Sequence, residues 1–268
     1  MVFGLLGPNG SGKTTTLGLL LGVLKPTSGY FEWFGKTPTA DARKRVGAIL
    51  ESPCFYPYMT AMQNLAVVST IKECSMSRRE EVLEIVGLFD RRNDPFRTYS
   101  LGMKQRLAIA SALLAEPDAL ILDEPTNGLD PQGIVEIRHL IRYIASMGKT
   151  IILASHLLDE VQKICTDFCV LRNGEKLYQG SVVDALNEDI RFEIASQDLL
   201  QLAAIARDFQ SATVIEHEKD RLVVSVAQGV TTADLNAYLI DRGVIVTLLK
   251  ERKGSLEQQF LNILAEDD

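Results

Sequence analysis

Apolar positions in the first two thirds of the chain gather into short continuous runs, the pattern of strands buried on both faces of a sheet. Val2–Leu6 is one such run; a glycine-rich turn follows it, and then an uncharged stretch, Thr14–Leu24, that predicts a buried helix. Runs at Tyr30–Phe34, Val46–Leu50, Ala119–Leu122, Thr150–Ala154 and Phe168–Leu171 predict further strands, while Ser77–Leu88, Met103–Ala115 and Gly133–Ala145 carry helical periodicity. Two buried strands around the helix Gly133–Ala145 make a unit that requires a parallel sheet.

Beyond a turn at Asn173-Gly174 the character changes. From Ile190 the pattern predicts a strand (Arg191–Ala195), a helix (Leu199–Phe209), two strands (Ala212–Glu216, Arg221–Val226), a helix (Thr232–Arg242) and a strand (Val244–Leu249). That order fits a small α+β sandwich of ferredoxin-like type, and an amphipathic helix, Leu256–Ala265, ends it. The expected organisation is an α/β domain over residues 1–185 and an accessory domain over 190–268. The chain contains no internal repeat and no low-complexity segment.

Composition narrows the classes. With 28 basic and 35 acidic residues in 268 the net charge is −7, which disfavours a nucleic-acid clamp. The longest uncharged run, Ser52–Ile71, contains Pro53, Pro57 and many polar groups, so it does not predict a membrane span. Met1–Leu6 lacks a basic segment before its apolar stretch and meets glycines at once, unlike a signal peptide. Cys54, Cys74, Cys165 and Cys169 form no CxxC pair and are expected as reduced core residues.

Candidate chemistry begins at Gly7–Thr15, GPNGSGKTT, which fits G-x-x-x-x-G-K-[ST] between a strand and a helix. Backbone N–H groups of Gly10, Ser11, Gly12 and Lys13 can form an anion nest at a positive helix end, with Asn9 and Thr15 flanking it. Lys13 would pair with β- and γ-phosphate oxygens and the Thr14 hydroxyl would ligate Mg²⁺, so the motif predicts a bound nucleotide such as ATP. Ala119–Pro125, ALILDEP, ends a buried strand in two carboxylates, and burying charge without a partner is costly. Beside a phosphate loop, Asp123 is expected to hold Mg²⁺ and Glu124 to act on the attacking water.

Three further positions have a structural reading, and for two of them a chemical one stands beside it. Ser100, opening the helix of Tyr99-Ser-Leu-Gly-Met-Lys-Gln-Arg106, is a natural helix cap; alternatively its hydroxyl and the Gly102 N–H face a γ-phosphate. Asp130 before Pro131 is a common way to begin a helix. His156, just after a strand end, is either a satisfied edge histidine or a donor to the γ-phosphate. His139 and His217 have no such company and are expected on the surface.

Across roughly residues 2–181 these motifs, with LDEPTNGLD and Ser155-His156 in the same order, resemble the nucleotide-binding subunit of ATP-binding-cassette (ABC) transporters. The resemblance implies a P-loop NTPase core with a helical signature subdomain, Mg²⁺-dependent ATP hydrolysis, and a head-to-tail dimer. In that dimer Ser100 and Gly102 close over ATP held by a second copy, and Asp130 lies between the two sites. It also implies separate integral membrane subunits and a place at the cytoplasmic face of the cell membrane.

Three departures qualify the match. Glu51 stands where the family has a metal-binding Gln, and a carboxylate ligates metal but donates no hydrogen bond. Leu101 and Met103 replace the usual Gly and Gln. The antiparallel strands that normally precede the P-loop strand, one bearing an adenine-stacking aromatic, are missing, so the chain is expected to lack its true beginning. Glu51-Ser-Pro53 and Phe55-Tyr56-Pro57 resemble exporters for bacitracin resistance and lantibiotic self-protection. The competing readings are a soluble ABC-type ATPase acting on DNA or ribosomes, and a nucleotide-gated module that does not hydrolyse.

Overall fold

The computed structural model describes residues 1–50, 53–187, 191–209, 212–217, 220–227, 229–252 and 254–265. It divides into two compact units, Met1–Gln179 and Gly180–Asp268.

The first unit runs β1 (Val2–Leu6), α1 (Lys13–Leu20), α2 (Ala40–Lys44), β2 (Val46–Ile49), α3 (Ala61–Ile71), α4 (Arg78–Ile85), α5 (Leu101–Leu113), β3 (Ala119–Asp123), α6 (Pro131–Ser146), β4 (Thr150–Ser155), α7 (Leu158–Ile164), β5 (Asp167–Arg172) and β6 (Glu175–Ser181). The strands form one sheet in the order β2-β3-β4-β1-β5-β6, and the pairs β2–β3, β3–β4, β4–β1 and β1–β5 are parallel. All five residues of β3 are buried, as its uninterrupted apolar run requires. The register sets Leu6 opposite Ser155 and Asp123 opposite Ala154, so β1, β3 and β4 end level with one another. Because β4 lies between β1 and β3, the residues leaving all three strands converge on one edge.

Helices cover the sheet through close backbone approaches. At Gly47 of β2 an added Cβ would stand 2.4 Å from the Ala112 carbonyl oxygen of α5, and at Gly4 of β1 another would stand 2.8 Å from Val161 Cγ1 of α7. On α6 the buried residues Ile137, Leu140, Ile141 and Ile144 recur at helical spacing and form its apolar stripe.

The second unit runs α8 (Val182–Asn187), β7 (Arg191–Ser196), α9 (Leu199–Arg207), β8 (Ala212–His217), β9 (Leu222–Val226), α10 (Thr232–Asp241), β10 (Val246–Arg252) and α11 (Leu256–Ala265). Its antiparallel sheet has the order β10-β7-β9-β8, with α9 and α10 on the two crossovers, which is the ferredoxin-like arrangement. It has its own core, in which Phe192, Ile194, Leu202, Val224, Leu235 and Leu239 are buried together.

Two expectations are corrected, on a strand and on the cysteines, and others hold. Tyr30–Phe34 is not a strand: the segment makes only an isolated Trp33–Lys36 bridge, and the left-handed φ values of Gly29, Phe34 and Gly35 turn the chain repeatedly. Its Trp33 instead donates Nε1–H to the Leu20 carbonyl at 2.8 Å and joins the core with Leu17 and Val46. The Asn173-Gly174 turn is a hairpin, both residues having positive φ, and it leads into β6, which lacks a strong apolar pattern. All four cysteines are free, but Cys54 is exposed and Cys74 half-buried, leaving Cys165 and Cys169 in the core. His139 is exposed, and the side chain of His217 lies outside the described residues.

Candidate active site

The loop after β1 folds tightly. An added Cβ at Gly7 would fall 2.3 Å from Ser11 Oγ and 2.4 Å from the Leu171 carbonyl oxygen, so the position has room only for glycine. Gly12, with φ 105, caps α1 in a left-handed conformation that a side chain would oppose. The loop thereby reaches α1 with Lys13 at its first position, and Lys13 Nζ donates back to the carbonyls of Gly7 at 2.7 Å and Pro8 at 3.2 Å. Its ammonium is thus held over the concave side of the loop, where first-turn N–H groups and the helix dipole favour an anion.

Thr14 lies one residue further on and its Oγ1 donates to Asp123 Oδ2 at 3.1 Å. Asp123 is the last residue of β3 and is buried. A hydroxyl and a carboxylate oxygen held this close are hard oxygen donors of the kind that bind Mg²⁺ with phosphate, so the donor set fits that ion.

Glu124 leaves β3 with φ 47, an unusual left-handed conformation for a glutamate. Its N–H still donates to the Ala154 carbonyl at 2.9 Å, and its carboxylate Oε2 accepts the His156 backbone N–H at 3.4 Å. The same oxygen stands 2.8 Å from His156 Nδ1. Strained backbone of this sort costs about 1–3 kcal/mol and persists where the surroundings fix a functional side chain. His156 is therefore bound to the carboxylate through Nδ1, which leaves Nε2 as the ring nitrogen available to a ligand.

A cleft of about 390 Å³ gathers these groups: Asn9, Gly10 and Gly12–Thr15 from the loop, with Asp123 and Glu124 from β3, line it. Ser11, within the same loop, is buried. Pro53, Leu101, Gln105 and Asn127 also line the cleft, and none of these four was singled out as a site residue by the sequence. Gln105 lies one helical turn after Leu101 on the same face of α5, and that spacing is the available signal. Glu51 lies outside the described residues.

Ser100 caps α5, its Oγ accepting the Met103 N–H at 3.3 Å, and Gly102 follows in the first turn. Asp130 caps α6, its Oδ1 accepting the Gly133 N–H at 2.9 Å, with Pro131 at the first helical position. Both residues thus perform the capping role open to them within one chain.

Beside the cleft, Asn64 of α3 is buried and organises the segment before it. Its Oδ1 accepts the Tyr56 N–H at 2.9 Å, and its Nδ2 faces the carbonyls of Tyr56, Met59 and Thr60 at 3.1–3.2 Å. The result is an apolar groove of about 410 Å³ lined by Cys54, Phe55, Tyr56, Val67 and Ile71 among others, in which Tyr56 and Ile71 are exposed. No sequence pattern marked Asn64, since a single buried amide carries no periodic signal.

A phosphate loop, an acidic pair at the end of a parallel strand and a histidine just after the strand between them define a nucleotide hydrolase. The family model described as ABC transporter matches residues 1–127. The chain is similar to the ABC transporter ATP-binding protein YdbJ of Bacillus subtilis (strain 168), 38% identical over 97% of this chain and 85% of the relative. It is 37% identical to the bacitracin transport ATP-binding protein BcrA of Bacillus licheniformis, over 98% of this chain and 88% of the relative. It is also 40% identical to the lantibiotic transport ATP-binding protein SrtF of Streptococcus pyogenes, over 72% of this chain and 86% of the relative. Among solved structures it resembles CbiO1 of Clostridium perfringens, part of the ABC transporter complex CbiONQ, with a TM-score of 0.64 and 31% identity over 68% of this chain and 78% of that one. The chain belongs to the family of ATP-binding subunits of ABC transporters, which bind and hydrolyse ATP and work with membrane-spanning partners. Among the described residues no helix is long and apolar enough to cross a membrane.

Proposed function

We propose that this subunit hydrolyses ATP in the cleft of Lys13, Asp123 and Glu124 to drive export of an antimicrobial peptide or similar amphipathic compound through separate membrane subunits. The observation that carries the site assignment is the convergence of Lys13, Thr14, Asp123 and Glu124 in one cleft, with His156 bound to Glu124. The cargo class rests on the bacitracin and lantibiotic transport relatives.

The loop N–H groups and Lys13 bind the β- and γ-phosphates, and the Lys13 ammonium exchanges loop carbonyls for phosphate oxygens as ATP enters. Thr14 and Asp123, with Glu51 as a further oxygen ligand, would hold Mg²⁺, which when bound neutralises charge on the phosphates. Glu124 accepts a proton from the attacking water, and His156, tethered through Nδ1, presents Nε2 to the γ-phosphate and keeps the carboxylate aimed at the water.

A second copy completes the site head to tail. Ser100 and Gly102 at the start of α5 supply a hydroxyl and an N–H to ATP held by the other protomer, and Asp130 lies in the loop joining the two sites. The apolar groove beside Asn64 receives a helix of the membrane subunit at the cytoplasmic face of the membrane. Residues 1–185 then act as the nucleotide-binding domain and 190–268 as an accessory domain that props the dimer.

ATPase rate, ATP affinity and dimer formation for Glu124→Gln test the site. Retained binding with trapped dimers and lost turnover supports the reading, and parental turnover overturns it. Co-purification with the membrane subunits tests the groove, where Tyr56→Ala should weaken capture without changing ATP affinity.

A further inference from the structure

Helix α6 carries opposite charges to both of its neighbours. Glu136 and Arg138 are two positions apart, about 200° around the helix, so they point to different sides. On one side Arg106 Nη2 of α5 stands 3.5 Å from Glu136 Oε2. On the other, Arg138 donates twice to Glu160 of α7, from Nε to Oε2 at 3.0 Å and from Nη2 to Oε1 at 2.5 Å. The two contacts differ in kind. The first is single and its glutamate is partly exposed, whereas the second is a planar fork on a carboxylate whose residue is only 5% exposed. A carboxylate so buried costs several kcal/mol unless it is paired with good geometry, so Glu160 depends on the fork.

The fork has a mechanical consequence for the active site. Helix α7 has seven residues, too few to be stable by itself, so its placement comes from packing. Its height above the sheet is set at Gly4 of β1, where an added Cβ would stand 2.8 Å from Val161 Cγ1 and 3.2 Å from Sγ of Cys165, the residue after the helix. The fork sets its position along α6. Only His156 and Leu157 connect the end of β4 to the start of α7, and the Leu157 N–H is itself tied to Ser155 Oγ at 3.1 Å. A link of two residues has about 7 Å of reach and no slack to absorb a shift of the helix. His156 and Glu124 are in contact at 2.8 Å, and a displacement of about 1 Å ends a hydrogen bond of that length.

We propose that Arg138 and Glu160 are positioning residues for His156. Their fork locks α7 to α6, so that the Asp130 loop opening α6 and His156 preceding α7 move as one body toward the cleft. The inference rests on the reading of Glu124 and His156 as the hydrolytic pair.

The test uses the full chain and two readouts, the ATPase rate with ATP affinity and the ¹⁵N signals of the histidine rings. The chain has three histidines, and His156 is identified by its loss in His156→Gln. In Arg138→Met the His156 ring signals should move, and kcat should fall about 10- to 100-fold with ATP affinity within twofold of the parent. The charge reversal Arg138→Glu with Glu160→Arg should restore the His156 signals and bring kcat back to within about fivefold. Where Arg138→Met does not fold, Arg138→Lys, which keeps the charge and loses the fork, should show the same displacement of His156. Unmoved His156 signals overturn the proposal whatever the ATPase rate. So does a reversal that restores thermal stability but neither the signals nor kcat. If His156→Gln hydrolyses ATP at the parental rate, the hydrolytic reading fails instead, and the ring signals still decide the fork.

Discussion

Nδ1 of His156 lies 2.8 Å from Oε2 of Glu124, although 32 residues separate the two in sequence. The contact follows from the register of β3 and β4: Asp123 is opposite Ala154, so the next residue of β3 and the second residue beyond Ala154 leave the sheet side by side. The left-handed φ of Glu124 then turns its carboxylate toward the ring instead of continuing the strand. The Glu124 carboxylate is thereby held from both sides, by its own backbone and by the histidine.

Replacing Glu124 by glutamine keeps the size and the capacity to bond His156 but removes the basic charge. ATP binding should persist and turnover should fall by ~10² or more, the scale of general acid–base contributions. Steady-state hydrolysis alongside nucleotide titration checks this.

Lys13→Ala should act on binding. The buried ammonium now spans the loop to the Gly7 and Pro8 carbonyls, and its loss removes both the phosphate partner and the tie that shapes the loop. The expected outcome is at least a tenfold weaker ATP affinity, measured by titration with a fluorescent nucleotide, consistent with losing one charge-assisted hydrogen bond of about 1.5–3 kcal/mol.

Asn64→Leu should disturb the groove while sparing the nucleotide. The leucine leaves the Tyr56 N–H and several carbonyls without their partner, at a cost of about 1–3 kcal/mol for an unsatisfied buried group. The melting temperature should drop, capture of the membrane subunits should weaken, and ATP affinity should remain within about twofold.

The buried thiols predict an alkaline limit to stability. Burial pushes the Cys165 thiol up to about 12 and the Cys169 thiol up to about 11 from the ordinary 9.0. In the unfolded chain these thiols ionise near 9 while in the folded chain they stay protonated. The folded state is therefore undisturbed below pH 9 and loses stability as pH rises from 9 toward 11–12, by at most about 1.4 kcal/mol per pH unit for each thiol. Cys165→Ala should flatten this decline in denaturant titrations at pH 8 and pH 10. With a thiol reagent at pH 8, exposed Cys54 should react first and Cys165 and Cys169 only on unfolding.

What the sequence determined by itself is local chemistry in order. The P-loop, the carboxylates ending β3, the capping residues Ser100 and Asp130, and most buried strands are legible because each is a contiguous pattern: a run of apolar residues, a glycine at a required turn, or a polar residue before a helix. Even the ferredoxin-like order of the second unit can be read this way. The limits are equally physical. Tyr30–Phe34 is apolar and aromatic enough for a strand, yet its turns and the bond from Trp33 to Leu20 make it a packed loop. β6 pairs at a sheet edge with few apolar residues, so its place is set by the hairpin before it. Gln105, Asn64 and the Arg138–Glu160 fork each consist of one or two polar residues whose meaning depends on what the fold sets opposite them. Strand order and register bring His156 beside Glu124, because pairing energies act between segments far apart in the chain and leave no local periodic trace.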